Sequence, residues 1–195
     1  MERADEFRTE RLLLRRWGPG DREAFSVMNS DPRVMEFLPA LLSREQSDVL
    51  ADRFEAHFDR EGFGPWAVEV VGGPEFVGFV GLLTVSFEAH FTPAVEIGWR
   101  LASEQWGHGY ATEAASAALV YGFDSLGLDE IVAFTVPANL RSQAVMERIG
   151  MVRDEAGDFD HPSLPEDSPL RWHVLYRRRS DIPGGGHRAE RQKVD

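Results

Sequence analysis

Between Val95 and Glu113 the chain reads Val-Glu-Ile-Gly-Trp-Arg-Leu-Ala-Ser-Glu-Gln-Trp-Gly-His-Gly-Tyr-Ala-Thr-Glu. An alternating strand pattern runs into a turn punctuated by Gly107 and Gly109, and a helix follows. Glycines at these positions let the backbone approach a ligand and turn its N–H groups inward. The helix behind them adds the positive end of its dipole, so the bend suits a diphosphate. Trp106, Gly107, His108, Gly109, Tyr110 and Ala111 are the expected donors, with Thr112 beside them. Two other phosphate-binding patterns fail. A dinucleotide fingerprint needs a third glycine where Thr112 stands, and a Walker loop needs a lysine after the glycines. The only lysine of the chain is Lys193. The same scarcity excludes Schiff-base chemistry, because arginine keeps its proton.

The elements that must hold this bend can be read on either side of it. Arg11–Trp17 is a strand ended by Gly18-Pro19-Gly20, after which Asp21 is placed to cap a short helix carrying Ala24, Phe25 and Met28. Ser43 and Gln46 form a capping box that opens a helix running to about Arg60, with Val49, Leu50, Phe54 and Phe58 at helical spacing. Trp66–Val71 and Phe76–Leu83 read as a hairpin around Gly72-Gly73-Pro74, with Gly78 and Gly81 marking a bulge or a close approach. Ala94–Leu101 is a strand, Gly109–Ser125 a packed helix, Ile131–Val136 a strand, and Leu140–Ile149 a helix stopped by Gly150. Met151–Arg153 is extended, 158–169 is a loop, and Trp172–Arg178 closes the sheet. This order predicts an α+β fold: a central mixed, mostly antiparallel sheet with helices on both faces. It predicts one domain over 1–180 and a flexible tail from 181.

The run from Val95 to Glu113 resembles the acetyl-CoA-binding segment of the GNAT superfamily of N-acetyltransferases. Trp-Gly-His-Gly-Tyr-Ala-Thr-Glu is similar to the Rim-type branch, which acetylates ribosomal-protein N-termini and other amines. Thr9-Glu10-Arg11-Leu12-Leu13-Leu14 resembles that branch's opening strand. Asn139-x-x-Ser142 with Val145-Met-Glu-Arg-Ile-Gly-Met151 resembles its second cofactor segment. The resemblance implies a V-shaped split between the strands Ala94–Leu101 and Ile131–Val136. Pantetheine would lie in it and pair with the backbone of Ile97, Gly98 and Trp99, one of whose N–H groups would polarise the thioester carbonyl. Asn139 would bond the pantetheine amides or cap the following helix. One departure is Glu104, where the superfamily often has Gln or Arg; Glu104 is expected to point away, leaving the phosphates to backbone N–H groups alone.

Direct attack by an amine on a thioester in a ternary complex requires the amine to be neutral, so a base must take its proton. Glu96, on the face opposite Val95, Ile97 and Trp99, is the candidate base or amine anchor, with pairing to Arg100 as its structural alternative. Related enzymes often place a tyrosine shortly after the second cofactor helix, and none lies between Val145 and Asp160. Ser142 is the remaining candidate for the proton on the leaving thiolate, with an ordinary helix serine as the alternative. His161 and His173 could line the acceptor site. The four acids of the 158–169 loop could form one wall for a cationic acceptor, with Trp17, Phe25, Phe37 and Trp66 framing the other.

Bulk properties bound the remaining choices. The chain has 195 residues, no cysteine, and a formal net charge of -12. Residues 1–170 hold -16 of it, which disfavours nucleic acid and favours a small-molecule or peptide amine as partner. No apolar segment is long enough to span a bilayer, and the start of the chain is charged, so no membrane partner and a cytoplasmic setting are expected. The six histidines show no metal-ligand spacing, so acetyl-CoA is the one co-substrate expected, with no metal. A homodimer is the commonest assembly for such chains. The rival readings are an acyl-CoA-binding regulatory module without turnover and a ribosome-surface protein that uses the basic tail.

Overall fold

The computed structural model describes residues 6–181, so all but the first residue of the expected tail lies outside the described residues. Nine strands form one twisted array. They are β1 (Glu6–Arg8), β2 (Leu12–Arg15), β3 (Pro65–Val70), β4 (Gly78–Thr84), β5 (Val95–Leu101), β6 (Glu130–Thr135), β7 (Val152–Arg153), β8 (Phe159–Asp160) and β9 (Trp172–Arg179). Their order is β1-β2-β3-β4-β5-β6-β9-β7, with β8 paired to β9. Every pairing is antiparallel except β5 with β6, which run parallel and meet at Glu96 and Val132. The α+β class and the mixed, mostly antiparallel sheet are as the element order predicts.

Alternation along β4 separates the two faces. Val80 packs with Ala114, Ala115 and Ala118 of α3 (Tyr110–Val120) and Met146 of α4 (Leu140–Arg148). Its neighbour Phe79 packs with Phe25 and Met28 of α1 (Asp21–Asn29) and Ala51 and Phe54 of α2 (Arg44–Glu61). The small alanine face of α3 lets that helix lie close against β4 and β5. A third cluster, Phe91, Val132, Phe159 and Leu175, fills the α1 side of β6 and β9.

Local signals set most boundaries. Ser43 and Gln46 close the capping box on both sides, and Gly62, at φ 82°, ends α2. Asp21 does not cap α1 as expected. It is buried as the first residue of that helix, takes a bidentate pair from Arg15 at 2.8 and 2.9 Å, and accepts from the Gly18 N–H. Val49 is exposed rather than core-facing. The helix begun at Tyr110 passes into a π turn over Tyr121–Ser125 before Gly127 stops it. The 158–169 loop contains the short strand β8, and β1 has no signal strong enough to stand out from the charged start of the chain.

Gly81 is required by a close approach. A Cβ there would lie 2.2 Å from the Gly64 carbonyl oxygen and 2.5 Å from Pro65 Cα, both backbone atoms that cannot swing aside. Gly81→Ala is therefore expected to cost about 1–3 kcal/mol, lowering Tm by roughly 2–4 °C per kcal/mol in a chain of this size. Thermal unfolding followed by circular dichroism would show it.

Candidate active site

The decisive geometry is the parting of β5 from β6. Beyond Glu96 and Val132, β5 continues to Leu101 with β4 on one side and no strand on the other. Its open edge therefore carries backbone N–H and C=O groups available to an extended ligand. The opening belongs to a single cavity of about 960 Å³. Ile97, Gly98 and Trp99 line it on the β5 side, and Phe134 and Thr135 on the β6 side. A Cβ built on Gly98 would meet nothing within 4 Å, so the face of β5 that carries Glu96 and Arg100 is open at Gly98.

One end of the cavity is the glycine bend. Gly107 and Gly109 have φ of 82° and 81°, the left-handed conformation that the sequence pattern requires. The first helical bond of α3 runs from the Glu113 N–H to the Gly109 carbonyl at 3.0 Å, leaving the N–H groups of Tyr110, Ala111 and Thr112 without intrahelical acceptors. These residues line the cavity with Gly107 and Gly109. Two expected donors behave differently. The Trp106 N–H is already used by the Ser103 carbonyl at 3.3 Å, and its indole bonds the Leu101 carbonyl at 2.9 Å, so Trp106 serves as a wall. His108 stacks on Tyr110 outside the cavity lining.

Thr9 and Arg11 hold this bend in place, a role that sequence spacing did not reveal. Glu113 accepts from the Thr9 hydroxyl at 2.5 Å, the Arg11 N–H at 2.9 Å and Arg11 Nε at 2.7 Å. Arg11 Nη1 also donates to the His108 carbonyl at 3.0 Å, and its guanidinium lies 5.0 Å from the centre of the Tyr110 ring. Burial alone would raise the Glu113 carboxyl, but the Thr9 and Arg11 donors prevail and hold it below its ordinary value. The Thr-x-Arg turn between β1 and β2 thus fastens the bend from more than ninety residues away.

Cations gather near the same end. Glu104 does point away, being exposed and bridged to Arg33 at 2.9 Å. Arg33, Arg141 and Arg148 line the cavity beside the backbone N–H groups expected to hold the phosphates. Arg141 lies over the Trp106 ring at 4.5 Å and bonds Glu36 at 2.7 Å. Asn139 caps α4: its Oδ1 accepts from the Ser142 N–H at 3.2 Å and its Nδ2 donates to Thr135 Oγ1 at 3.0 Å. One amide hydrogen and one lone pair of Asn139 remain for a ligand. Ser142 stands beside it in the cavity wall.

The other end of the cavity is imidazole and hydrocarbon. His161 and His173, distant in sequence, come together with ring centres 5.1 Å apart and line the cavity with Phe134, Leu164 and Leu170. Burial lowers both imidazoles, and His173 lowers His161 further. The acids of the 158–169 loop do not join them. Asp158 accepts from the Leu175 N–H and pairs with Arg153, Asp160 faces Arg171, and Glu166 lines a separate surface hollow. An acidic wall for a cationic acceptor is thus absent among the described residues. Of the four aromatics proposed for the facing wall, Phe37 lines the cavity, while Trp17, Phe25 and Trp66 are packed in the core.

Glu96 is at the vertex of the split, on the opposite face from Ile97 and outside the cavity lining. Its carboxylate makes no hydrogen bond or ion pair among the described residues, and Arg100 bonds Asn29 instead. Desolvation pushes the carboxyl up to about 7. Of the three tyrosines, Tyr121 is core and Tyr176 bonds Gln143 and Glu147, leaving Tyr110 as the one in the cavity wall. Among the described residues no group of three or more metal-ligating side chains converges.

The family model for the acetyltransferase (GNAT) domain matches residues 11–152. The chain belongs to the GNAT acetyltransferase family. It is 32% identical over 163 residues to the FsC-acetyl coenzyme A-N(2)-transacetylase of Aspergillus fumigatus, covering 79% of this chain and 68% of the relative. An acetyltransferase of the GNAT family from Bacillus anthracis superposes with a TM-score of 0.72 at 29% identity, covering 89% of this chain and 98% of that one. Mycobacterium smegmatis RimJ in complex with CoA-disulfide has the same fold, with a TM-score of 0.69 at 24% identity over 87% of this chain and 82% of its own. The likeness spans several branches of the family and does not single out the Rim-type one. The protein is an acyl-CoA-dependent acetyltransferase that transfers an acyl group from coenzyme A to an amine.

The Thr9–Arg11–Glu113 lock gives a direct test. Arg11→Ala should weaken coenzyme A binding about tenfold, or about 1.4 kcal/mol, by releasing the His108 carbonyl and the Glu113 side chain together. Isothermal calorimetry measures the affinity. A Tm lowered by only a few degrees would show that the loss lies in the bend and not in the fold.

Proposed function

We propose that the protein acetylates a primary amine by direct attack in a ternary complex, with Glu96 as the base and Ser142 beside the leaving sulfur. The observation that carries this reading is the continuity of the cavity: one opening joins the glycine bend, the bare edge of β5 and the paired histidines. Acetyl-CoA supplies the thioester; the 107–112 bend would hold its diphosphate and the 97–99 backbone its pantetheine arm. A β5 N–H on that edge would donate to the acyl carbonyl, where it is fixed by the sheet and needs no reorganisation. A cytoplasmic setting, where acyl-CoA is abundant, fits this chemistry.

Glu96 suits the base role because its proton affinity sits close to neutral pH. A carboxyl raised to about 7 by desolvation is far better matched to an ammonium than an exposed carboxylate is. It lies on the same face of β5 as Arg100 but just outside the cavity lining, so a water molecule would carry the proton between amine and carboxylate. Ser142 lines the cavity, which supports a role in which its hydroxyl donates a hydrogen bond to the leaving thiolate and relays a solvent proton to it. A thiol has an ordinary value of about 8.5, so this contribution should matter most below that pH. The Rim-type resemblance of Trp106–Glu113 leaves protein N-termini among the candidate acceptors.

Release of free thiol from acetyl-CoA, assayed against a panel of amines including N-terminal peptides, tests the activity. Glu96→Gln should lower kcat/KM about 10²–10⁴-fold with unchanged coenzyme A affinity, and the acid limb near pH 7 should vanish from the rate profile. Stability should move the opposite way. The folded value of Glu96 is raised from 4.5 to about 7, so the unfolded chain releases this proton first: native stability falls as pH rises from about 4.5 to about 7 and is level above that. Glu96→Gln should therefore have a higher Tm than the parent at pH 8 and nearly the same Tm at about pH 4, below the unfolded value. Ser142→Ala should reduce kcat by about tenfold at pH 6.5 and progressively less towards pH 9; equal loss at all pH values would remove it from proton transfer.

A further inference from the structure

Arg100 carries a charge that nothing in the described structure neutralises. It lies on β5 two residues past Gly98 and, by alternation, on the same face as Glu96 and away from Ile97 and Leu101. Its neighbours are neutral. Nη1 donates to Asn29 Oδ1 at 2.6 Å, and the guanidinium lies 5.5 Å from the centre of the Phe79 ring. Asn29 is itself fully buried and held by Ser47 at 3.1 Å, so it is a fixed acceptor aimed at the arginine. Among the described residues Arg100 has no carboxylate partner, whereas Arg11, Arg15, Arg16, Arg22, Arg33, and Arg177 each bridge to an acid.

That contrast is informative in a chain with more acids than bases. Burial lowers the guanidinium to about 10, which still leaves it charged at neutral pH. A desolvated cation with only neutral partners is costly unless an anion joins it. Arg100 lines the cavity, and no carboxylate is among the described residues that line it with Arg100. Glu96, also without a partner, stands four residues away on the same face, about 13 Å at Cα from the strand rise. Arg100 thus offers a positive group to the cavity, and Glu96 stands beyond Gly98 at the vertex just outside the lining, the polarity that suits a molecule with an anion at one end and an amine at the other.

Resting on the transfer reading above, we infer that the acceptor is an amino carboxylate: its amine is delivered towards Glu96 while its carboxylate docks on Arg100, held in place by Asn29. Arginine suits this because its planar fork takes a carboxylate through two parallel hydrogen bonds. The assignment replaces the cationic acceptor suggested by the acidic composition, because the acids are spent on arginine pairs or turned away from the cavity.

The test compares amino carboxylates of increasing chain length with the carboxamide of each, using thiol release from acetyl-CoA. The parent enzyme should favour the carboxylate by at least about tenfold in kcat/KM, equivalent to about 1.4 kcal/mol. Arg100→Met should bring the ratio within about threefold without changing the KM for acetyl-CoA, and Arg100→Lys should keep part of it. The comparison within the parent enzyme needs no variant, so a poorly folded Arg100→Met does not blunt it. Thiol release with no preference for the carboxylate, or a preference that survives in a folded Arg100→Met, overturns the inference and leaves the transfer reading standing. No thiol release from any acceptor, with coenzyme A still bound by calorimetry, overturns both.

Discussion

β5 and β6 meet at one residue pair, Glu96 with Val132, and then part. Everything chemical in this protein follows from that separation. A parallel pair that stayed together would satisfy its own backbone groups and leave no opening. Once the strands diverge, β5 keeps β4 on one side and offers a bare edge on the other, and the sheet acquires a cleft that reaches from one face to the other. The strain of an unpaired edge is avoided because the rest of the sheet is extensively paired: β4 spans the full length of β5, and β9 that of β6.

The two faces of the cleft are served by different parts of the fold. On one side, α3 and α4 direct their N-terminal turns to the opening, where free N–H groups and the positive ends of the helices favour anions. The bend before α3 is held by a carboxylate, Glu113, that is tied to the turn between β1 and β2 through Thr9 and Arg11. On the other side, Phe134 of β6, His173 of β9 and His161, Leu164 and Leu170 of the loop between β8 and β9 supply a wall of imidazole and hydrocarbon, with Arg100 of β5 beside the open strand edge. A chain with 33 acidic residues could be expected to repel an anionic co-substrate. Local pairing resolves the conflict, since many of the acids sit against arginines, and Arg33, Arg141 and Arg148 stand at the cavity itself.

Burial makes two residues of β5 chemically unusual. Glu96 and Arg100 are both desolvated, and neither has an oppositely charged partner among the described residues. Neighbouring groups of opposite charge on one strand face commonly satisfy each other. Here Gly98 separates them, Asn29 draws the arginine aside, and the carboxylate remains at the vertex. Two unpaired charges in a desolvated site are a thermodynamic cost that a purely structural sheet would have no reason to bear.

Periodicity and glycine placement determined the α+β class, nearly every element, the capping box at Ser43, and the bend at 107–111, because each depends on residues within a turn or two of one another. The motif around Gly107 and the second segment at Asn139 were legible for the same reason. Only the tertiary structure decided which distant groups meet. It set Thr9 and Arg11 against Glu113, brought His161 beside His173, spent the acids of the 158–169 loop on local contacts, and left Arg100 facing Asn29 with no carboxylate. Desolvation is likewise a property of all the surrounding elements at once, so no local pattern around Glu96 or Arg100 announces it.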